Sequence, residues 1–298
     1  MNQSIVFFGS GPVAAKSLAL LAQTFTIEAI ITKPATVHEM ASVMSDTPVL
    51  EVSNKQGLNE LIATQHFTSR LAVLIDFGII VSKQVIDSFP LGIINSHFSV
   101  LPEWRGADPI SFAILSGQSK TGVSLMLIDE GMDTGNILTT KVLPISPIET
   151  TPSLTDKLIE LSNALLQEYI PKYIAGTVSP RQQSHPGRAT YSRKLTKEDG
   201  IIDWNKPAAV LEREIRAFIE WPKSRTTFNG KDVIITKAHA VPSQPQSSKP
   251  GDIDIAEQIK EFGVITGSGT LWIDELKPAG KKEMPAKAFL AGYRQFLK

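Results

Sequence analysis

Three side chains in one stretch have the types and spacing for group-transfer chemistry. Asn95 and His97 lie two residues apart in Ile93-Ile94-Asn95-Ser96-His97, and Asp133 sits between glycines in Gly131-Met132-Asp133-Thr134-Gly135. On an extended chain, residues two apart point to the same side, so the amide and the imidazole can face one substrate. Moving an acyl group from a carrier nitrogen to an amine creates a tetrahedral centre with a negative oxygen. That oxygen needs donors in a dry pocket, and Asn95 offers an uncharged NH₂. The incoming amine must lose a proton and the leaving nitrogen must gain one, which suits an imidazole. Asp133 can orient His97 and stabilise its charged form, or take the amine proton itself. Each motif alone also reads as a polar turn satisfying its own backbone.

Other chemistries fit less well. His97 and Asp133 are too few for a closed zinc site, and His38, His66, His185 and His239 show no ligand spacing, so no metal is expected. Ser99 lacks the G-x-S-x-G elbow of a nucleophilic serine. The 298 residues contain no cysteine, which excludes thiolate chemistry and disulfides and fits a reducing, cytoplasmic setting. No apolar run reaches membrane-spanning length, and the run at Ser4–Phe8 is too short for a signal peptide. Gly9-Ser10-Gly11-Pro12 invites a dinucleotide reading, but the third glycine is missing and Pro12 removes an amide. A tight strand-to-helix turn with Pro at the helix start is the simpler reading.

The elements that must position these groups follow from periodicity. Apolar runs at 4–8, 27–32, 71–76 and 92–95 alternate with helical patterns, of which 13–23 is the first. This predicts a doubly wound, mostly parallel α/β sheet of Rossmann-like type, with ligands beyond the carboxyl ends of its strands. Phe77-Gly78-Ile79 and Asn95-Ser96-His97 fall at such ends. Residues 33–46 read as a loop with at most one helical turn, 136–142 as a strand and 151–175 as the longest helix. The stretch 179–200 is polar and carries prolines and glycines, as linkers do. Residues 1–178 are thus one domain and 201–298 a second. Short strands, the Asn229-Gly230 turn and a helix over 207–219 make the second domain an OB-like β-barrel. Ser243–Pro250 is a polar loop within it. Charge is segregated: residues 1–178 carry 10 Lys+Arg against 16 Asp+Glu, and 179–298 carry 20 against 14. A basic second half on a neutral chain points to a polyanionic partner.

Taken together, Asn95-Ser96-His97-Phe98-Ser99-Val100-Leu101-Pro102, then Trp104-Arg105-Gly106-Ala107-Asp108-Pro109, then Thr121-Gly122-Val123, then Gly131-Met132-Asp133-Thr134-Gly135 resemble the folate-dependent formyltransferases. Thr190–Leu195, Ile202-Asp203-Trp204, Ile215–Phe218 with Trp221-Pro222, and Leu276–Met284 look like the C-terminal domain of those members that act on methionyl-tRNA. The resemblance implies 10-formyltetrahydrofolate as co-substrate and initiator methionyl-tRNA as acceptor and partner. It implies Asn95, His97 and Asp133 as catalytic residues. Ser99, Val100, Leu101 and Pro102 would form the folate-binding loop, with Phe77, Gly78 and Ile79 lining the pterin pocket. Phe8, Gly9 and Ser10 would border the methionine end, and Arg213, Arg216, Lys281 and Lys282 would meet tRNA. A monomer is expected. The chain departs from that pattern in a short segment after the second strand, Lys33–Asp46, where Lys33 is the only basic residue apart from His38. An amino sugar carried on a nucleotide is the alternative acceptor.

Overall fold

The computed structural model describes residues 3–243, 248–258 and 260–297. Part of the expected polar loop Ser243–Pro250 therefore lies outside the described residues. The chain divides into two compact units, residues 1–109 with 120–144 and 155–193, and residues 110–119 with 145–154 and 194–298.

The first unit opens with strand β1 (Ser4–Gly9), whose Ile5, Val6, Phe7 and Phe8 are wholly buried. A strand apolar on both faces belongs in the middle of a sheet covered on both sides. Gly11, at φ 89° and ψ −178°, adopts a conformation closed to other residues and turns the chain into helix α1 (Pro12–Leu21). Pro12 occupies the first helical position, where its missing N–H costs nothing. Strand β2 (Thr26–Thr32) follows, then a 3₁₀ turn at Pro34–Thr36, helix α2 (Val37–Val43) and strand β3 (Val49–Glu51). The segment expected as a loop is thus mostly helical. Its anchor is Met40, which is fully buried; a single apolar side chain inserted into the core outweighs a weak local pattern.

Helix α3 (Lys55–Thr64) is capped by Asn54, which accepts from Gly57 N at 2.9 Å. Strand β4 (Ala72–Ile75), helix α4 (Lys83–Asp87), strand β5 (Ile93–His97) and the two-residue strand β6 (Arg105–Gly106) come next. Next in chain order are helix α5 (Pro109–Leu115), which from residue 110 belongs to the second unit, strands β7 (Lys120–Leu127) and β8 (Ile137–Pro144), helix α6 (Thr151–Ile174), whose residues 151–154 also belong to the second unit, and strand β9 (Tyr191–Ser192). The main sheet runs β3-β2-β1-β4-β5-β7-β8. It is parallel from β3 to β5; β7 and β8 join antiparallel. Chain order reverses between β1 and β4, which opens a crevice at their carboxyl ends. Behind that edge, Phe8, Phe77 and Phe89 pack edge to face, with centroids 5.4 and 5.9 Å apart.

The second unit contains helix α7 (Ala208–Ala217), strands β10 (Ser224–Phe228), β11 (Lys231–Val241), β12 (Ile253–Ala256), β13 (Glu261–Ile265), β14 (Thr270–Pro278) and β15 (Met284–Pro285), and helix α8 (Ala286–Tyr293). The sheet is antiparallel in the order β10-β11-β14-β13-β12, with β15 on β14. Asn229 and Gly230, both at positive φ, close the β10–β11 hairpin. Leu211, Ile215, Phe228, Phe262, Leu276 and Phe289 fill its core.

Candidate active site

Asn95 and His97 sit on β5 within an apolar run, and both are buried. The loop after β7 brings Asp133 to them. Asp129 Oδ1 accepts from Gly131 N at 3.0 Å and from the Thr134 hydroxyl at 2.7 Å, which pins the turn. A Cβ at Gly135 would lie 1.7 Å from the Leu127 carbonyl oxygen, so only glycine lets the loop close there. Asp133 itself is held at φ 52°, a left-handed conformation that aspartate tolerates better than most residues.

The three groups converge on one carboxylate. Asn95 Nδ2 is 3.4 Å from Asp133 Oδ1, and His97 Nδ1 is 3.8 Å from the same oxygen. Gly106 N donates to Asp133 Oδ2 at 2.8 Å. The Asn95 contact is long for a hydrogen bond and the His97 distance exceeds one. His97 Nε2 lies 2.9 Å from the Trp104 carbonyl oxygen. A carbonyl only accepts, so Nε2 carries the hydrogen, and Nδ1 is the ring nitrogen on the Asp133 side.

The residues expected to bind folate divide by accessibility. Ser99 is fully buried and its hydroxyl is occupied by the Glu103 carbonyl at 2.5 Å. Ser124 Oγ accepts from Leu101 N at 3.1 Å and donates to the Ser99 carbonyl at 2.8 Å. Leu101 and Phe77 are also buried. Ser99, Leu101 and Phe77 therefore shape the edge from behind, while Val100, Pro102, Gly78 and Ile79 meet solvent. A cleft of about 490 Å³ starts at Leu101 and is lined by Leu138, Thr140, Val178 and Arg181. Among the described residues no group of three or more His, Cys, Asp or Glu could hold a metal ion.

One functional contributor gave no sequence signal. Gln183, in the polar stretch read as linker, is buried. Its Nε2 donates to the Asp133 carbonyl at 2.7 Å and to the Gly135 carbonyl at 3.0 Å, while its Oε1 accepts from Arg105 Nη2 at 2.7 Å. The same segment pairs β9 with β6 in parallel, and Thr190 accepts Trp104 N through its hydroxyl at 2.9 Å. These residues tie the Asp133 loop to the Trp104–Gly106 strand. Gln183→Ala leaves the buried Arg105 guanidinium without that partner. It should lower stability by about 2–3 kcal/mol and kcat by roughly 10- to 100-fold through misplacement of Asp133. Thermal unfolding and steady-state kinetics check both.

An amide, an imidazole and a carboxylate meet at the carboxyl edge of a mixed α/β sheet, the arrangement expected of a formyl transferase. Residues 4–170 match the formyl transferase family and 194–294 match the formyl transferase C-terminal domain. The chain is 34% identical to the methionyl-tRNA formyltransferase of Myxococcus xanthus over 301 residues, covering 97% of this chain and 95% of that protein. It is 36% identical to that of Desulfotalea psychrophila over 300 residues, covering 97% and 92%. The chain belongs to the formyl transferase family, among its methionyl-tRNA formyltransferases. The fold is shared with an N-formyltransferase from Helicobacter canadensis, solved with folinic acid and dTDP-3-aminofucose, at TM-score 0.68 and 20% identity over 92% of this chain and 99% of that one. HypX from Aquifex aeolicus, solved with tetrahydrofolic acid, gives TM-score 0.63 and 17% identity over 99% and 47%.

Proposed function

We propose that the chain transfers the formyl group of 10-formyltetrahydrofolate to the α-amino group of initiator methionyl-tRNA, with Asn95, His97 and Asp133 as the reacting centre. The observation that carries this reading is their convergence beside the Gly106 amide, with His97 Nδ1 turned to Asp133. Asn95 Nδ2 donates to the formyl oxygen as it becomes an oxyanion. The acceptor reacts as the free amine, its ammonium having first given one proton to solvent; as the nitrogen adds to the formyl carbon it loses a second proton to Asp133 or to His97 Nδ1. The tetrahedral centre collapses as the folate nitrogen leaves and takes a proton back through the same pair. The accessible Val100, Pro102, Gly78 and Ile79 would touch the folate, backed by Ser99, Leu101 and Phe77.

Residues 1–178 would do the chemistry and residues 201–298 would hold tRNA, with 179–200 between them. Within the second unit Arg216 is already engaged, bidentate on Glu212 and donating to the Glu149 carbonyl at 2.7 Å, and Arg213 donates to the Leu115 carbonyl at 3.0 Å. Arg216 is thus fully engaged within the unit, and Arg213 is held through its Nε. Lys281 and Lys282 are exposed on the turn between β14 and β15 and fit a phosphate backbone better. Replacing both with Ala should weaken tRNA binding uniformly. It should also flatten the log–log salt dependence by about 1.5, as filter binding across a salt series would measure.

No helix among the described residues is long and apolar enough to cross a membrane; a cytoplasmic monomer suits an enzyme that works on charged tRNA. Purified protein supplied with 10-formyltetrahydrofolate should formylate charged initiator tRNA and leave nucleotide-linked amino sugars untouched. Turnover of the sugar alone would reverse the choice of acceptor.

A further inference from the structure

Asp76 stands in the crevice where the strand order reverses, one strand from the reacting residues. Gly9 on β1 pairs with Ile75 on β4, and Leu74 on β4 pairs with Asn95 on β5. Neighbouring strands are ~4.8 Å apart, so the residue after Ile75 lies beside both the β1 turn and the end of β5. Asp76 leaves the strand at φ 49°, and its carbonyl accepts from Ser10 N at 3.0 Å. A Cβ on Gly11 would be 3.9 Å from Asp76 Oδ2, so the carboxylate looks across the bare Ser10-Gly11 turn. A left-handed non-glycine residue is costly and tends to persist where a site needs its side chain aimed.

Two further charges act on it through space. Lys33 follows β2, its backbone N–H donates to Ser10 Oγ at 3.1 Å, and its ammonium rests over Gly78, where a Cβ would be 2.5 Å from Nζ. Gly78 thus makes room for Lys33. Asp108, two residues after the Gly106 whose amide binds Asp133, is the other. The Asp76 side chain still reaches solvent. Protein nonetheless crowds it enough to push its pKa up to about 6; lost hydration is the main cause, with Lys33 opposing and Asp108 adding. A carboxylate in that range is ionised at neutral pH and can also accept a proton.

We infer that Asp76, with the Lys33 ammonium set over Gly78 two residues on, is the anchor that receives the acceptor's amino group as an ammonium and sets it opposite Asn95 and Asp133. This rests on the transfer reaction proposed above. A primary ammonium beside an ester carbonyl matches a carboxylate at this place, whereas the formyl donor brings no positive charge to pair with it. It gives the short Lys33–Asp46 segment a task in acceptor recognition that does not need a basic loop.

The test is a set of kinetic constants for both substrates, with 10-formyltetrahydrofolate and charged methionyl-tRNA as the probes. Asp76→Asn keeps the shape, and asparagine tolerates the left-handed backbone. It should raise the acceptor KM about tenfold with the donor KM unchanged, and Asp76→Glu should recover part of the loss. Lys33→Met should raise the acceptor KM in the wild-type background but not on top of Asp76→Asn. A wild-type enzyme that turns over, with Asp76→Asn changing only the donor KM or neither, overturns the inference and leaves the reaction standing. A wild-type protein that forms no formylmethionyl-tRNA overturns both. If Asp76→Asn melts early, the Lys33→Met effect on the acceptor KM alone decides the matter.

Discussion

Asp133→Asn is expected to lower kcat by about 10²–10⁴-fold while both KM values stay within a few-fold. The change is nearly isosteric. Asparagine accepts the left-handed φ of 52°, and its amide oxygen can still take the 2.8 Å hydrogen bond from Gly106 N. What disappears is the negative charge beside His97 Nδ1 and Asn95 Nδ2. An imidazolium formed during transfer then lacks its counter-charge, and the amine proton loses one of its two acceptors. With one oxygen kept on Gly106 N, the new NH₂ falls where Oδ1 faces the Asn95 NH₂, and a donor there is the wrong partner. Because the losses fall on the charged stages of the reaction, they appear in kcat and not in substrate binding. Steady-state kinetics with each substrate varied in turn checks this split.

The second large effect is expected from Gly106→Ala. Gly106 has φ 111°, and an added Cβ would lie 2.2 Å from the Ser192 carbonyl oxygen. That atom belongs to β9, which pairs with β6, so neither backbone can yield without separating the pair. Backbone strain and overpacking together cost about 3 kcal/mol or more. The same shift draws the Gly106 amide off Asp133, so the surviving folded enzyme should lose at least about 100-fold in kcat. Thermal unfolding and kcat measured together separate the two losses. A Gly106→Ala protein with wild-type melting and turnover would show that the β6–β9 pair plays no part in holding the carboxylate.

What could be read from the sequence follows from how local each signal is. β5 was legible because its apolar run ends in two polar residues at strand spacing, and Asp133 because glycines flank it. The parallel half of the sheet followed from alternating apolar runs and helical patterns. Helix α2 was not legible, since it depends on Met40 reaching the core across the chain. β12, β15 and α8 gave no distinct signal because each is short, four, two and eight residues, and its local pattern is weak. Gln183 could not be singled out, because its importance lies in carbonyls 48 and 50 residues away and in Arg105. Asp76 carried no motif; its place became visible once β1 and β4 were seen to lie side by side.

The central claim is that Asn95, His97 and Asp133 together move a formyl group onto methionyl-tRNA. The most direct measurement is single-turnover transfer from 10-formyltetrahydrofolate labelled in the formyl carbon, with wild-type enzyme and His97→Ala compared at saturating substrates. The account predicts label on the methionyl amine in one enzyme turnover for the wild type and a rate lowered by about 10²-fold or more for His97→Ala. Equal rates for the two proteins, or label that never reaches the methionyl amine, would contradict it.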